Sequence, residues 1–307
     1  MSVTTQFTDL AQAVIATYKG RDSSFSNRLQ YWIDHFGQRD ISTIFSEDIE
    51  DGIDALIRRG KCQVQTSRSV DSPSTVIATI ISTGKPLAPS TVNRYVASLA
   101  SMYKELRRLR LLPRGHQNPT RGVTRHPEGP GRTLSITVHE VHNLGAACRI
   151  SRNRRLAALV AFACTTGWRL GTIQKLKWSD VDLVNGTADT VRTKNGSPHR
   201  AVLLPWVVEE IKKIQSRNCD LNSPIFGASS IKRAWKNALI RADLPQEWTI
   251  HHCRHIAASI LAQGGASIPV IMACLNHKTP QMALRYSHLN THTLRDNLNK
   301  AWSKTPY

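Results

Sequence analysis

The chain has 307 residues, 40% of them hydrophobic, which suffices for two globular domains each with its own core and excludes disorder as the default. Its longest apolar run, Leu156 to Cys164, is too short to span a bilayer, and the first twenty residues lack the basic start, apolar core and small-residue cleavage site of a signal peptide, so a cytoplasmic protein away from the membrane is expected. The 41 Lys and Arg against 22 Asp and Glu leave a net charge of +19, concentrated after an acidic start: residues 1–55 carry 4 basic and 9 acidic groups, residues 56–125 carry 13 and 2, and residues 126–307 carry 24 and 11. An excess so placed points to a polyanionic partner, nucleic acid above all.

Along the chain, apolar clusters at Leu10 to Tyr18 and Leu29 to Phe36 read as helices, and Ile49, Ile53, Leu56 and Ile57 mark one face of a helix over 47–59 that stops at Gly60. A Ser/Thr-rich insertion over 61–89 follows, with a β-branched run at Thr75 to Ile81 that reads as a short strand. Pro89 and Ser90 open a long helix whose apolar face is Val92, Val96, Leu99, Tyr103 and Leu106. Its other face carries Arg94, Lys104, Arg107 and Arg108, candidate DNA contacts. The stretch "NPTRGVTRHPEGPGR", with its Pro and Gly turns, reads as a linker, and the domains divide as 1–120, linker 121–132 and 133–307. Thr137 and Glu140 have capping-box spacing, and a further apolar helix covers Arg154 to Thr165. "GTADTVRTKNGSPHRAVLLP" alternates around Asn195-Gly196 as a hairpin does. Helical patterns then recur at Val207 to Gln215, Lys232 to Arg241, Cys253 to Gln263, Ile268 to Leu275 and Ala283 to Leu289. Six cysteines without paired spacing read as free thiols.

The segment "IHHCRHIAAS" crowds three histidines and a cysteine around Arg254. A metal site, a phosphate clamp and an ordinary basic helix are all open from this segment alone. Zn²⁺ beside a fixed cation, without Cys-x₂-Cys or His-x₃-His pairing, is unfavourable. In a helix His251 and Arg254 share one face, and His252 and His255 a neighbouring one. "ACTTGWRLGTIQKLKWSDVDL" supplies a second arginine, Arg169, at a Gly-marked turn. In "LNHKTPQMALRYSHL", His277 follows a helix end at which Asn276 suits left-handed geometry, and Thr279-Pro280 opens a short helix leading to Tyr286.

Together these stretches resemble the tyrosine recombinases, the phage integrase family of site-specific recombinases. The family's "TGxRxxE…LxWxD" box is similar to Thr166 to Asp180, its hairpin lysine to Lys194 in "RTKNG", its "HxxRH" box to His251 to His255, and its "LGHxxxxxTxxxY" box to Leu275 to Tyr286. Residues 7–120, notably "STVNRYVASLASMYKELRR", are similar to its core-binding domain, with the 61–89 insertion left over.

The resemblance implies a mainly α, two-domain enzyme: an N-terminal helical core-binding (SAM-like) bundle and a C-terminal α+β catalytic domain with a small antiparallel β-hairpin or sheet, the two clamping duplex DNA. It implies Tyr286 as nucleophile, Arg169 and Arg254 as the phosphate clamp, His277 as a further donor, His251 as manager of the tyrosine proton and Lys194 as proton source for the departing 5′ oxygen. No cofactor and no metal are expected, since two bidentate cations would stabilise the phosphorane. The implied partners are double-stranded DNA with paired half-sites and a homotetramer in synapsis; dependence on an accessory directionality factor is open. A type IB topoisomerase-like activity and a catalytically impaired DNA-binding relative are the rival readings. The chain departs from the family at Thr172, where a carboxylate is usual, at His252, commonly Asp, and at Asn276, commonly Gly. After Asn290, Leu294, Leu298 and Ala301 form a helical stripe with Trp302 beside them, expected to dock on a neighbouring protomer.

Overall fold

The computed structural model describes residues 5–20, 22–68, 76–129, 136–190, 198–227, 231–287 and 299, with the backbone alone over 64–68 and 76–80. Contacts divide the chain into two compact units, Met1–Gly129 and Pro130–Tyr307.

In the first unit, α1 (Phe7–Thr17), α2 (Phe25–Phe36), α3 (Ser46–Arg59) and α4 (Pro89–Arg108) pack around one core. The apolar face read for α4, Val92, Val96, Leu99, Tyr103 and Leu106, is buried throughout, and Trp32 of α2 meets it, its indole donating to the Tyr95 carbonyl at 3.1 Å. On α3, Ile49, Ile53 and Leu56 are buried, whereas Ile57 lies at the edge of the face and is 39% exposed. Val123 is buried in the same core, and Asn93 exchanges bonds with the His126 backbone, so residues up to Gly129 pack with this unit. The insertion holds two strands, β1 (Cys62–Arg68) and β2 (Val76–Ser82), antiparallel in register from Cys62 opposite Ser82 to Arg68 opposite Val76.

The second unit is built on α6 (Leu156–Thr166), buried at nine of its eleven positions, as a helix apolar all round must be. α5 (Val138–Arg149) packs on it, opened by the expected box: Thr137 N–H donates to the Glu140 carboxylate at 2.7 Å, and Glu140 N–H to Thr137 Oγ1 at 3.2 Å. After the short α7 (Leu170–Ile173), a three-stranded antiparallel sheet of β3 (Val181–Asp182), β4 (Thr187–Thr190) and β5 (His199–Val202) forms in that order. β4 and β5 pair from Thr187 opposite Val202 to Thr190 opposite His199. Lys194 and the Asn195-Gly196 turn lie outside the described residues, as does the stripe after Asn290. α8 (Pro205–Lys212) and α9 (Lys232–Arg241) lead to α10 (His252–Gln263), α11 (Ile268–Leu275) and α12 (Pro280–Leu284). α10 packs on α6, its Cys253 and Ile256 buried in the same core as the α6 side chains, while Ala258 and Ala262 pack with α11 and α12. The architecture is therefore mostly helical with a small antiparallel sheet. Among the described residues no helix is long and apolar enough to cross a membrane.

Candidate active site

The site forms where α6, α10 and α11 end or begin. α6 stops at Gly167 in the left-handed region (φ 62°, ψ 16°), and a Cβ there would sit 2.8 Å from Leu275 Cδ2 and 3.3 Å from Ala257 Cβ. Both the backbone angle and the space demand glycine. The chain then extends through Trp168 and Arg169, placing half-buried Arg169 at the start of α7.

Arg254 enters from α10 and is only 7% exposed. Its Nη1 donates to the Gly167 carbonyl and its Nη2 to the Leu275 carbonyl, each at 2.6 Å. Two of the five guanidinium donors thus go to backbone, fixing the plane of the group, and among the described residues no carboxylate pairs with it or with Arg169. Burial, followed by repulsion from Arg169, pulls the Arg254 pKa down to about 10, so it stays a cation at neutral pH. Thr172 does not supply the charge a carboxylate would; carbonyls orient Arg254 and leave its charge uncancelled.

Past Leu275 the helix ends on Asn276 in the left-handed region (φ 51°, ψ 51°), as its residue type suggested, and His277 N–H reaches back to the Met272 carbonyl at 2.9 Å. Burial, then Arg254 and Arg169, push His277 down to about 4, leaving a neutral ring. Cys274 ties α11 to the end of α6 through the Thr165 and Thr166 carbonyls, each at 3.6 Å. Three of the five buried polar atoms that lack a partner among the described residues gather in this wall: Trp168 Nε1, Asn276 Nδ2 and His277 Nδ1. Such atoms cost free energy unless a ligand or water meets them.

Tyr286 follows α12 and is 2% exposed, packed with Ala258, Ala262, Ile271, Leu275 and Ala283. Burial raises its pKa, opposed by Arg285 and Arg254, so the phenol is protonated. Its hydroxyl lies 2.6 Å from His255 Nδ1. His251, expected to handle that proton, stands at the N-terminus of α10; its ring meets His255 edge-on with centroids 5.8 Å apart, and partial desolvation of that ring, then Arg254, lowers its pKa. His252 accepts the Thr249 N–H at 2.9 Å and stacks on Trp248, with its ring centroid 5.9 Å from that of His255. Among the described residues no group of three or more His, Cys, Asp or Glu side chains is arranged to hold a metal ion.

The geometry thus gathers Arg169, Arg254, His277, His251 and Tyr286 at one place, with Lys194 outside the described residues. Two residues carry contacts that sequence reasoning did not assign. His255 closes the HxxRH-like box and shares a helical face with His252, but the sequence reading gave it no role. His199, read as a hairpin residue, sends Nε2 to the Ala273 carbonyl at 2.9 Å and packs 5.3 Å from the Trp168 ring. The basic residues Arg94, Lys104, Arg107 and Arg108 are exposed on α4, in the other unit.

The chain is similar to the shufflon-specific DNA recombinase of Escherichia coli, with 30% identity over 71% of this chain and 56% of that protein. It is also similar to the integrase of Haemophilus phage HP1, with 26% identity over 68% of this chain and 58% of that protein. It therefore spans little more than half the length of these relatives. In fold it resembles the Tn1549 transposon integrase in complex with transposon right end DNA (TM-score 0.68, 13% identity, 96% of this chain and 99% of that one). The phage integrase family model matches residues 135–293, just over half of the chain and the whole of the site above, and the chain belongs to that family.

Proposed function

We propose that this chain is a site-specific recombinase that cuts and rejoins duplex DNA through a 3′-phosphotyrosyl link, without ATP or metal. The observation that carries this reading is the buried Arg254, tethered among the described residues by two carbonyls beside Arg169, with the Tyr286 hydroxyl in the same field. Such a cluster suits an anion. A DNA phosphodiester would receive paired hydrogen bonds from Arg169 and Arg254, and these strengthen as charge builds on the five-coordinate phosphorane. His277 would add a bond to a nonbridging oxygen. Tyr286 would attack in line, a histidine at the start of α10 would take its proton, and Lys194 would protonate the departing 5′ oxygen. The phosphotyrosyl link conserves the energy of the broken bond, so a 5′-hydroxyl of another strand can attack it and rejoin. Exchange between two duplexes with paired half-sites needs four such sites, hence a homotetramer in synapsis. The enzyme would act in the cytoplasm, where its DNA is.

The test is a substrate nicked beside the cleavage point, whose short fragment diffuses away and traps the adduct. Wild-type protein in excess chelator should give a covalent complex on a denaturing gel, and Tyr286→Phe should bind the same DNA but give none. An adduct that persists in Tyr286→Phe, or one that needs added Zn²⁺, would overturn the reading.

A further inference from the structure

As the Tyr286 oxygen bonds to phosphorus, its proton must pass to a group within hydrogen-bond reach. His255 Nδ1, at 2.6 Å, is such a group. His251 lies beyond it, ring to ring with His255, and among the described residues makes no bond to Tyr286. We propose that His255, one helical turn after His251, is the base that takes the phenolic proton of Tyr286. The proposal rests on the reading of Tyr286 as nucleophile.

The protonation states fit the direction of transfer. Burial holds the Tyr286 phenol protonated, so its O–H is the donor. Nδ1 must then be the bare nitrogen of a neutral ring, with the proton on Nε2. The groups facing His255 are His251, His252 and Arg254 from α10, Arg285 after α12, and His277 after α11. Burial and those cationic neighbours hold His255 at about 4, which makes it a weak base in the free protein. A DNA phosphate seated on Arg254 would offset part of their field and raise its basicity, so the nucleophile is activated by the substrate itself.

The step balances. The Tyr286 O–H bond breaks and its proton goes to Nδ1, giving imidazolium; the Oη–P bond forms and the P–O5′ bond breaks, with the 5′ oxygen protonated by Lys194 in the proposed reading. On rejoining, the imidazolium returns its proton to the departing tyrosine oxygen.

The experiment is single-turnover cleavage of the nicked substrate at saturating DNA from pH 6 to 10, with His255→Ala, His255→Gln and His251→Gln, and thermal melting to check folding. Glutamine can still accept the hydroxyl hydrogen bond but takes no proton. Both His255 variants should bind DNA normally and cleave about 10²-fold slower at pH 7. The deficit should shrink as pH approaches the phenol pKa, and a more acidic fluorotyrosine at position 286 should recover most of it. Normal cleavage by His255→Gln would reduce His255 to a positioning residue. A loss equal at every pH and not recovered by fluorotyrosine would make it structural, and faster cleavage would make it a latch on Tyr286. Transfer of the whole pH-dependent signature to His251→Gln would return the role to His251. Failure of the wild-type protein to form any adduct would instead sink the underlying reading.

Discussion

In the proposed reading, the basic face of α4 and the arginine pair at the starts of α7 and α10 put the same chemistry to different ends. On α4, Arg94, Lys104, Arg107 and Arg108 are exposed; Arg108 already rests on Glu105 at 2.6 Å and Arg107 on the His116 carbonyl at 3.2 Å. Water screens these charges, so each contributes little to stability and acts mainly as a long-range attraction for an anion. Arg254 is buried, and its side chain bonds to carbonyls that orient it without neutralising it. Where a charge is desolvated and fixed, it can favour a transition state; where it is solvated and mobile, it contributes to affinity.

The strongest way to break that contrast is Arg254→Lys. Lysine keeps the charge but has no planar fork to bridge two carbonyls while also holding phosphate. Cleavage at saturating DNA should fall by about 10²- to 10³-fold, with half-site binding nearly intact in a gel-shift titration. A smaller but still large effect is expected from Gly167→Ala, which forces a side chain into the left-handed region and against Leu275. The strain should cost about 1–3 kcal/mol in a denaturant melt and slow cleavage by moving the carbonyl that holds Arg254.

On the α4 side, Arg94→Ala and Lys104→Ala together should weaken binding several-fold. Each lost phosphate contact should flatten the slope of log affinity against log salt by about 0.9. Cleavage at saturating DNA should not change.

The smallest effect is on pH stability. His255 and His277 both have folded pKa values of about 4, below the unfolded value near 6.5, so the unfolded chain takes up protons first as pH falls. Their contribution is intact above about pH 6.5 and is lost between there and pH 4. The melting temperature should drop across that window, and His277→Asn should make the drop shallower.

What the sequence disclosed follows the range of the interactions. The apolar face of α4 and the continuous apolar run of α6 were legible because both signals are local. So was the left-handed Asn276, from its residue type at a helix end. The partners of Arg254 were not legible: its carbonyls come from Gly167 and Leu275, 87 and 21 residues away, and any residue type presents a carbonyl. In the insertion the β-branched strand β2 could be read, but its partner β1, "CQVQTSR", has too few such residues to stand out. The pairing of His255 with Tyr286 depends on how α12 returns against α10, which helical spacing within α10 does not encode. Thr172 in place of a carboxylate was visible, but its consequence was not, since orientation by backbone leaves no mark in side-chain chemistry.

The central claim is that the paired site arginines, Arg254 and half-buried Arg169, act on the transition state and the surface cations on affinity. It is tested most directly by measuring single-turnover cleavage at saturating DNA for Arg169→Lys and Arg107→Ala side by side, each against its own dissociation constant. The account predicts that Arg169→Lys loses about 10²-fold or more in cleavage with little change in binding, and that Arg107→Ala weakens binding while cleaving at the wild-type rate. If cleavage in Arg169→Lys falls only as far as binding does, Arg169 is a phosphate anchor like those on α4, and the distinction between the two regions is wrong.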